Sequence, residues 1–219
     1  MTNLNVIEGN IIEGKEAYPY ITEFKKEPFK SYLLMDPQDI GSFYFSHYDK
    51  IITLYEYYNE NLFQISNLNL ENVYWFLLLG KYLKEPLKSK NKKQIYEFIE
   101  KCEIRENDKL GFIFSPHSAK KIGDVWSTYF ALASLKLIKR LKEYLSSKGE
   151  NIVKMEIGNF ITSHKKDNLF LHCLDKNCEI CKKTSSARTI YFVLEVLMLL
   201  GVDVRTQRNS FFGSLKDRK

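Results

Sequence analysis

"STYFALASLKL" occupies residues 127–137 and "TIYFVLEVLML" occupies residues 189–199. Tyr129 matches Tyr191, Phe130 matches Phe192, Leu132 matches Leu194 and Leu135 matches Leu197, each pair 62 residues apart. The same offset runs upstream. In "NKKQIYEFIEKC" (91–102) the apolar positions are Ile95, Phe98, Ile99 and Cys102. In "KMEIGNFITSH" (154–164) they are Ile157, Phe160, Ile161 and His164. Both sets follow i, i+3, i+4, i+7, one face of a helix. A constant offset across both stretches identifies a duplicated helix–loop–helix unit.

A third, looser copy lies further upstream. "HYDKIITLYEYY" (47–58) carries Ile51, Leu54, Tyr55 and Tyr58 at the same spacing, and "LENVYWFLLLGKYL" (70–83) follows as its second helix. In each unit the first helix is amphipathic and the second is apolar almost all round. A helix with one polar face lies at a surface, and one apolar on every side must be buried. The pattern therefore predicts outer helices wrapped around inner helices. Asn69, Asp124 and Thr184 or Ser185 are the expected N-caps of the inner helices. Pro86 and Gly201 are the expected stops of the first and last. Residues 1–45 read as an extension with short helices around Pro28, residues 46–201 as the repeats, and residues 202–219 as a basic tail containing Phe211 and Phe212.

A chain of 219 residues fits one domain. The longest apolar run, Ile190 to Leu200, is broken by Glu195 and is too short to span a membrane. The net charge of +6 is dispersed in short clusters such as "KSKNKK" (88–93) and "KRLK" (139–142). Such clusters are expected on solvated helix faces, and no basic stripe argues for a nucleic-acid footprint. The first residues, "MTNLNVIEGN", show no secretory pattern. With three of four cysteines clustered, a reducing, cytoplasmic location is expected.

The middle unit, "FIEKC…KLGFIFSPHSAKKIGDVWSTYFALASLKLI", resembles the repeat of the prenyltransferase and terpenoid-cyclase superfamily. The residues that carry the resemblance are Gly111, Phe112, Pro116, Asp124, Thr128, Tyr129, Ala131 and Leu132. The resemblance covers residues 46–201. It implies an all-α fold, an α/α-toroid, here a partial barrel of three to four helical hairpins around a cavity that accommodates an isoprenoid chain. In the protein prenyltransferases that this chain resembles, an Asp-x-Cys pair at the start of an inner helix and a later His hold zinc. With Tyr191 placed on the family's Tyr, Arg188 and Ile190 stand where the Asp and Cys belong. Asp124 falls where the family has a diphosphate-binding His. The Asp-x-Asp-Asp proton donor of the cyclases is absent from the sequence.

No catalytic residue is therefore assigned. If the chain is an enzyme, the resemblance implies a prenyltransferase-like transferase. The candidates to line a cavity are Asp124, Tyr129, Arg188, Tyr191 and Glu195, though a capping role suits Asp124 and core packing suits the tyrosines. Glu195 lies seven residues from Arg188, on nearly the same helix face.

"HCLDKNCEIC" (172–181) is the remaining motif. Cys178-x-x-Cys181 preceded by Cys173 has metal-ligand spacing, and His172 or His164 offers a fourth ligand. A Cys₃His set is closed, as structural zinc sites are, whereas a catalytic site keeps a position open. Structural zinc, free or oxidised thiols, and redox use are the three readings. Two functions follow: an isoprenoid-handling toroid without the family's motifs, or a non-enzymatic interaction scaffold with a structural zinc loop. An active protein prenyltransferase with rearranged ligands is a third. So few hairpins leave inner helices uncovered, which predicts a homodimer or a partner subunit completing the toroid.

Overall fold

The computed structural model describes residues 55–56, 59–64, 68–85, 87–166, 169–178, 181 and 187–202. The N-terminal extension, the tail beyond Val202, most of the first outer helix, Pro86 and the Thr184 and Ser185 caps lie outside the described residues. The chain divides into two compact units, one up to Asn91 and one from Lys92.

In the first unit a 3₁₀ turn, Leu62–Gln64, precedes helix α1, Leu70–Leu83. Asn69 caps α1: its backbone is extended and its side-chain oxygen accepts the Asn72 N–H at 2.9 Å. Leu70, Val73 and Phe76 are buried, and Tyr55 stacks on Phe76 with ring centroids 5.0 Å apart. Gly80 makes room for that tyrosine, since a Cβ there would lie 2.5 Å from its hydroxyl. The Asn91 side chain donates to the main-chain oxygen of Asn59 and, at 2.8 Å, to its side-chain oxygen. Asn91 belongs to helix α2, Ser89–Cys102, whose first three residues fall in this unit.

The second unit holds the duplication. From α2 the chain enters an antiparallel hairpin, β1 (Glu103–Glu106) and β2 (Lys109–Phe112), in register Glu103 to Phe112. Helix α3 (Val125–Leu137) follows, then a short helix α4 (Leu141–Ser147) and helix α5 (Glu150–Ser163). A two-residue hairpin, β3 (Lys165–Lys166) with β4 (Leu169–Phe170), leads through the cysteine loop to α6 (Ala187–Leu199). Helix α6 begins and ends 62 residues after α3. Helix α2 presents the expected face, with Ile95, Phe98, Ile99 and Cys102 buried, and α5 repeats it with Ile157, Phe160, Ile161 and His164. Helix α3 is buried on nearly every side, from Ser127 to Leu135, and packs along α6. Gly201, at φ +80°, ends α6.

Three features go beyond the sequence reading. Gly111 and Phe112 lie in strand β2, and the turn is at Asn107–Asp108. Helix α4 is absent from that reading because its seven residues are too few to show a helical period. The last repeat also has a hairpin, β3–β4, and the cysteine loop follows it.

Two contacts bind β1–β2 to its surroundings. Gly111 packs so closely on the Phe160 ring of α5 that a Cβ would lie 2.4 Å from it. Glu103, with its side chain only 12 % exposed, accepts hydrogen bonds from the Tyr144 hydroxyl, the Lys148 ammonium and, at 3.1 Å, the Arg105 guanidinium. Burial alone would raise its pKa, but the Lys148 and Tyr144 bonds overcome burial and hold it below the usual carboxylate range.

Gly111→Ala is expected to lower stability by about 1–3 kcal/mol through overpacking against Phe160, read as a lower denaturation midpoint. Glu103→Gln is expected to cost about 1–3 kcal/mol at neutral pH. Because the folded pKa of Glu103 is depressed, its contribution is present above the unfolded value of about 4.3 and is lost as pH falls through the folded value. The gap between wild type and Glu103→Gln should therefore narrow in denaturation curves taken at increasingly acid pH.

Candidate metal centre and aromatic face

Asp124 stands where three segments meet. Its backbone is extended, at φ −140° and ψ 159°. Its N–H donates to the Phe112 carbonyl at the end of β2, and the Val125 N–H donates to the His172 carbonyl at 3.0 Å. These pairs place Asp124 between Phe112 on one side and Cys173 on the other, in isolated antiparallel bridges. As the N-cap of α3, the Asp124 carboxylate accepts the Ser127 N–H at 2.7 Å and the Ser127 hydroxyl at 2.6 Å. The Thr128 hydroxyl donates to the Asp124 carbonyl and accepts from the Phe112 N–H, which closes the junction.

The cysteine loop folds against this junction. The ligand atoms of His172, Cys173, Cys178 and Cys181 all lie within 4.8 Å of one another. His172 Nδ1 is 3.7 Å from the Cys178 sulfur, and the Cys173 N–H donates to the Cys181 sulfur at 3.4 Å. Asp175 shapes the turn between: its carbonyl accepts the Cys178 N–H and its carboxylate accepts the Asn177 N–H. Lys120 pairs with the Asp175 carboxylate at 2.7 Å. Burial, with the neighbouring thiols, pushes Cys173 up to about 12. A thiol held protonated in this way gives up its proton when a cation takes its place. Burial works against a charge on His172, but the Asp124 carboxylate outweighs it and raises the pKa.

Tetrahedral thiolate coordination at about 2.3 Å sets sulfurs roughly 3.8 Å apart. The cluster needs at most about an ångström of closure to meet this spacing, and its donors, three thiols and an imidazole, are those zinc prefers. The group can hold a metal ion. The alternative histidine, His164, is not among the four. It is fully buried at the end of α5, its Nδ1 is 2.8 Å from the Phe160 carbonyl and its ring packs on Phe160. The fourth cysteine, Cys102, is also elsewhere, buried in α2 with its thiol pushed up to about 12 by burial.

Of the cavity candidates, Asp124 is a cap and a partner of His172. The other four lie on α3 and α6 among aromatic rings. Tyr129 is buried and stacks on Phe192 at 4.6 Å. Tyr191 packs edge-on to Tyr129 yet is 51 % exposed. Burial of its hydroxyl, with Glu195 beside it, raises the Tyr191 pKa. The Arg188 guanidinium lies 4.2 Å over the Trp126 ring. Trp126 touches the His172 ring edge-on at 4.5 Å and donates its indole N–H to the Thr189 hydroxyl at 3.1 Å. Arg188, Tyr191, Glu195 and Met198 lie on one stripe of α6, and Tyr191 and Met198 are the large apolar residues exposed along it.

The sequence reading passed over Trp126 and Phe192 as parts of one array. The repeat register sets Phe130 against Phe192, but it maps Trp126 onto Arg188 and gives no sign of the ring's place in the array.

The family model for the prenyltransferase alpha-alpha toroid domain matches residues 46–214. No curated protein and no solved structure matches the chain significantly.

Phe192→Ala removes the ring that Trp126, Phe130 and Tyr129 share. It is expected to cost about 3–5 kcal/mol and to be visible as a cooperative loss of melting temperature by circular dichroism.

Proposed function

Since the chain belongs to the family of prenyltransferase alpha-alpha toroid domains, we propose that it binds an isoprenoid group along the aromatic face of α3 and α6. We propose further that zinc held by Cys173, Cys178, Cys181 and His172 fixes the adjoining loop. One observation carries the reading: Tyr191, half exposed, continues a packed aromatic array out to an accessible surface. Apolar chains bind to surfaces built of such rings, with a few polar groups fixing orientation. Arg188, at the α6 N-terminal end of that array, supplies a cation that suits a diphosphate head. The helix N-terminus favours the same charge.

The proposed zinc role is structural. Four protein ligands leave no open coordination position, and the ion would tie the loop between β4 and α6 to the α3 junction. With Arg188 and Ile190 in place of the family's Asp and Cys, the reading is of binding without transfer to a thiol. A second reading, a protein partner or a second copy on α6, is favoured by the exposure of Met198 on the same stripe, at 47 %.

Farnesyl diphosphate titrated into the full chain is expected to quench tryptophan emission saturably, since Trp126 lies under Arg188. Tyr191→Ala should weaken this binding by about 1 kcal/mol, roughly fivefold. Arg188→Ala should weaken the diphosphate but leave farnesol unaffected. Quenching that does not saturate, or that Tyr191→Ala leaves unchanged, would count against the isoprenoid reading and favour the partner reading, which light scattering would then show as a dimer. For the loop, protein purified under reducing conditions should carry one zinc per chain by metal analysis. Cys178→Ser should lose the zinc and melt at lower temperature.

A further inference from the structure

We propose that Asp124 is the positioning residue of the metal centre: it holds His172 in the ring orientation and tautomer that present Nδ1 to the metal. This rests on the reading of the cysteine loop as a zinc site. The two nitrogens of an imidazole lie on different edges of the ring, and a hydrogen bond at one decides what the other can do. Here Nε2 is 3.2 Å from the Asp124 carboxylate, and Nδ1 is turned to the Cys178 sulfur at 3.7 Å. With the Nε2 proton donated to the carboxylate, Nδ1 carries a lone pair and faces the thiols.

The ring has little freedom to do otherwise. Both side chains are largely buried, at 14 % and 9 % exposure. Trp126 packs edge-on at 4.5 Å, and the His172 carbonyl is tied to the Val125 N–H. The carboxylate is itself fixed, because Ser127 donates to it from both its N–H and its hydroxyl. One oxygen, Oδ1, serves the helix cap and His172 together. The start of an inner helix and the metal loop are thus set by one side chain.

A capping role alone would account for an aspartate at this position, so the test must separate the two. Serine caps a helix as well as aspartate does but is too short to reach His172. Zinc affinity of the full-length protein is measured by chelator competition, and cobalt(II) spectra report the ligand set. Asp124→Ser is expected to weaken zinc about 10- to 100-fold. Asp124→Asn, which keeps an oxygen for both bonds, should recover most of that loss. In a His172→Ala background Asp124→Ser should cause no further loss, since the residue it positions is gone. Equal loss in both backgrounds, or wild-type affinity in Asp124→Ser, would overturn the inference while leaving the zinc site standing. A wild-type chain that takes up no zinc would overturn both. Should Asp124→Ser fail to fold, the same cycle run with Asp124→Thr, another capping residue too short to reach His172, decides: a loss of zinc affinity that disappears without His172 supports the role, and a loss that persists, or no loss at all, refutes it.

Discussion

Asp124 and Val125 join three parts of the second unit at one point. Through main-chain bonds to Phe112 and His172 they tie the first hairpin to the cysteine loop, and through the Asp124 side chain they start α3. None of these bonds is strong alone; a net hydrogen bond is worth about 1 kcal/mol. Their value lies in coincidence. Helix α3 is buried on nearly every side and cannot shift without uncovering apolar surface. Fixing its first residue therefore fixes the axis against which α6 packs, and with it the positions of Trp126, Tyr129 and Phe192.

The two repeats reach the same arrangement by different means. Position 62 after Gly111 is Cys173, and position 62 after Cys102 is His164. In the first repeat the strand is held by close packing, glycine against the Phe160 ring. In the second the equivalent residue is a potential metal ligand. Phe112, next to that glycine, and Cys173 both bridge to Asp124, one beside a packed ring and the other within a cluster of sulfur donors. The choice has consequences, since packing responds to temperature and volume while a thiolate site responds to metal and proton activity.

Much of the helical plan was legible because it rests on periodicity. The spacing of Ile95, Phe98, Ile99 and Cys102 and its recurrence at Ile157 need only the pitch of a helix. Asn69 and Asp124 were legible as caps because a short polar side chain before an apolar run has few other uses. The four-residue cluster was suggested by the spacing of its cysteines, but its histidine was not, since His172 and His164 are equal on spacing alone. Choosing between them takes the fold, which brings His172 and not His164 within reach of the three sulfurs. The hairpins and α4 escaped for a related reason: each is shorter than the repeat length by which a pattern is recognised. The Trp126–His172–Asp124 contacts join residues distant in sequence, and no local pattern encodes them.

The seat of Phe160 bears on how such a chain can be divided. This ring belongs to the outer helix of the last repeat, yet it fills the space above Gly111 and Gly123, both in the repeat before it. The unit of sequence duplication is therefore not a unit of packing. A cut at the sequence boundary, between α3 and α5, would strip one copy of its filling and leave the other with an aromatic ring facing water. The repeats behave like interlocked staves, each closing the gap in its neighbour, so that lengthening or shortening the array by one copy demands a matched pair of ends.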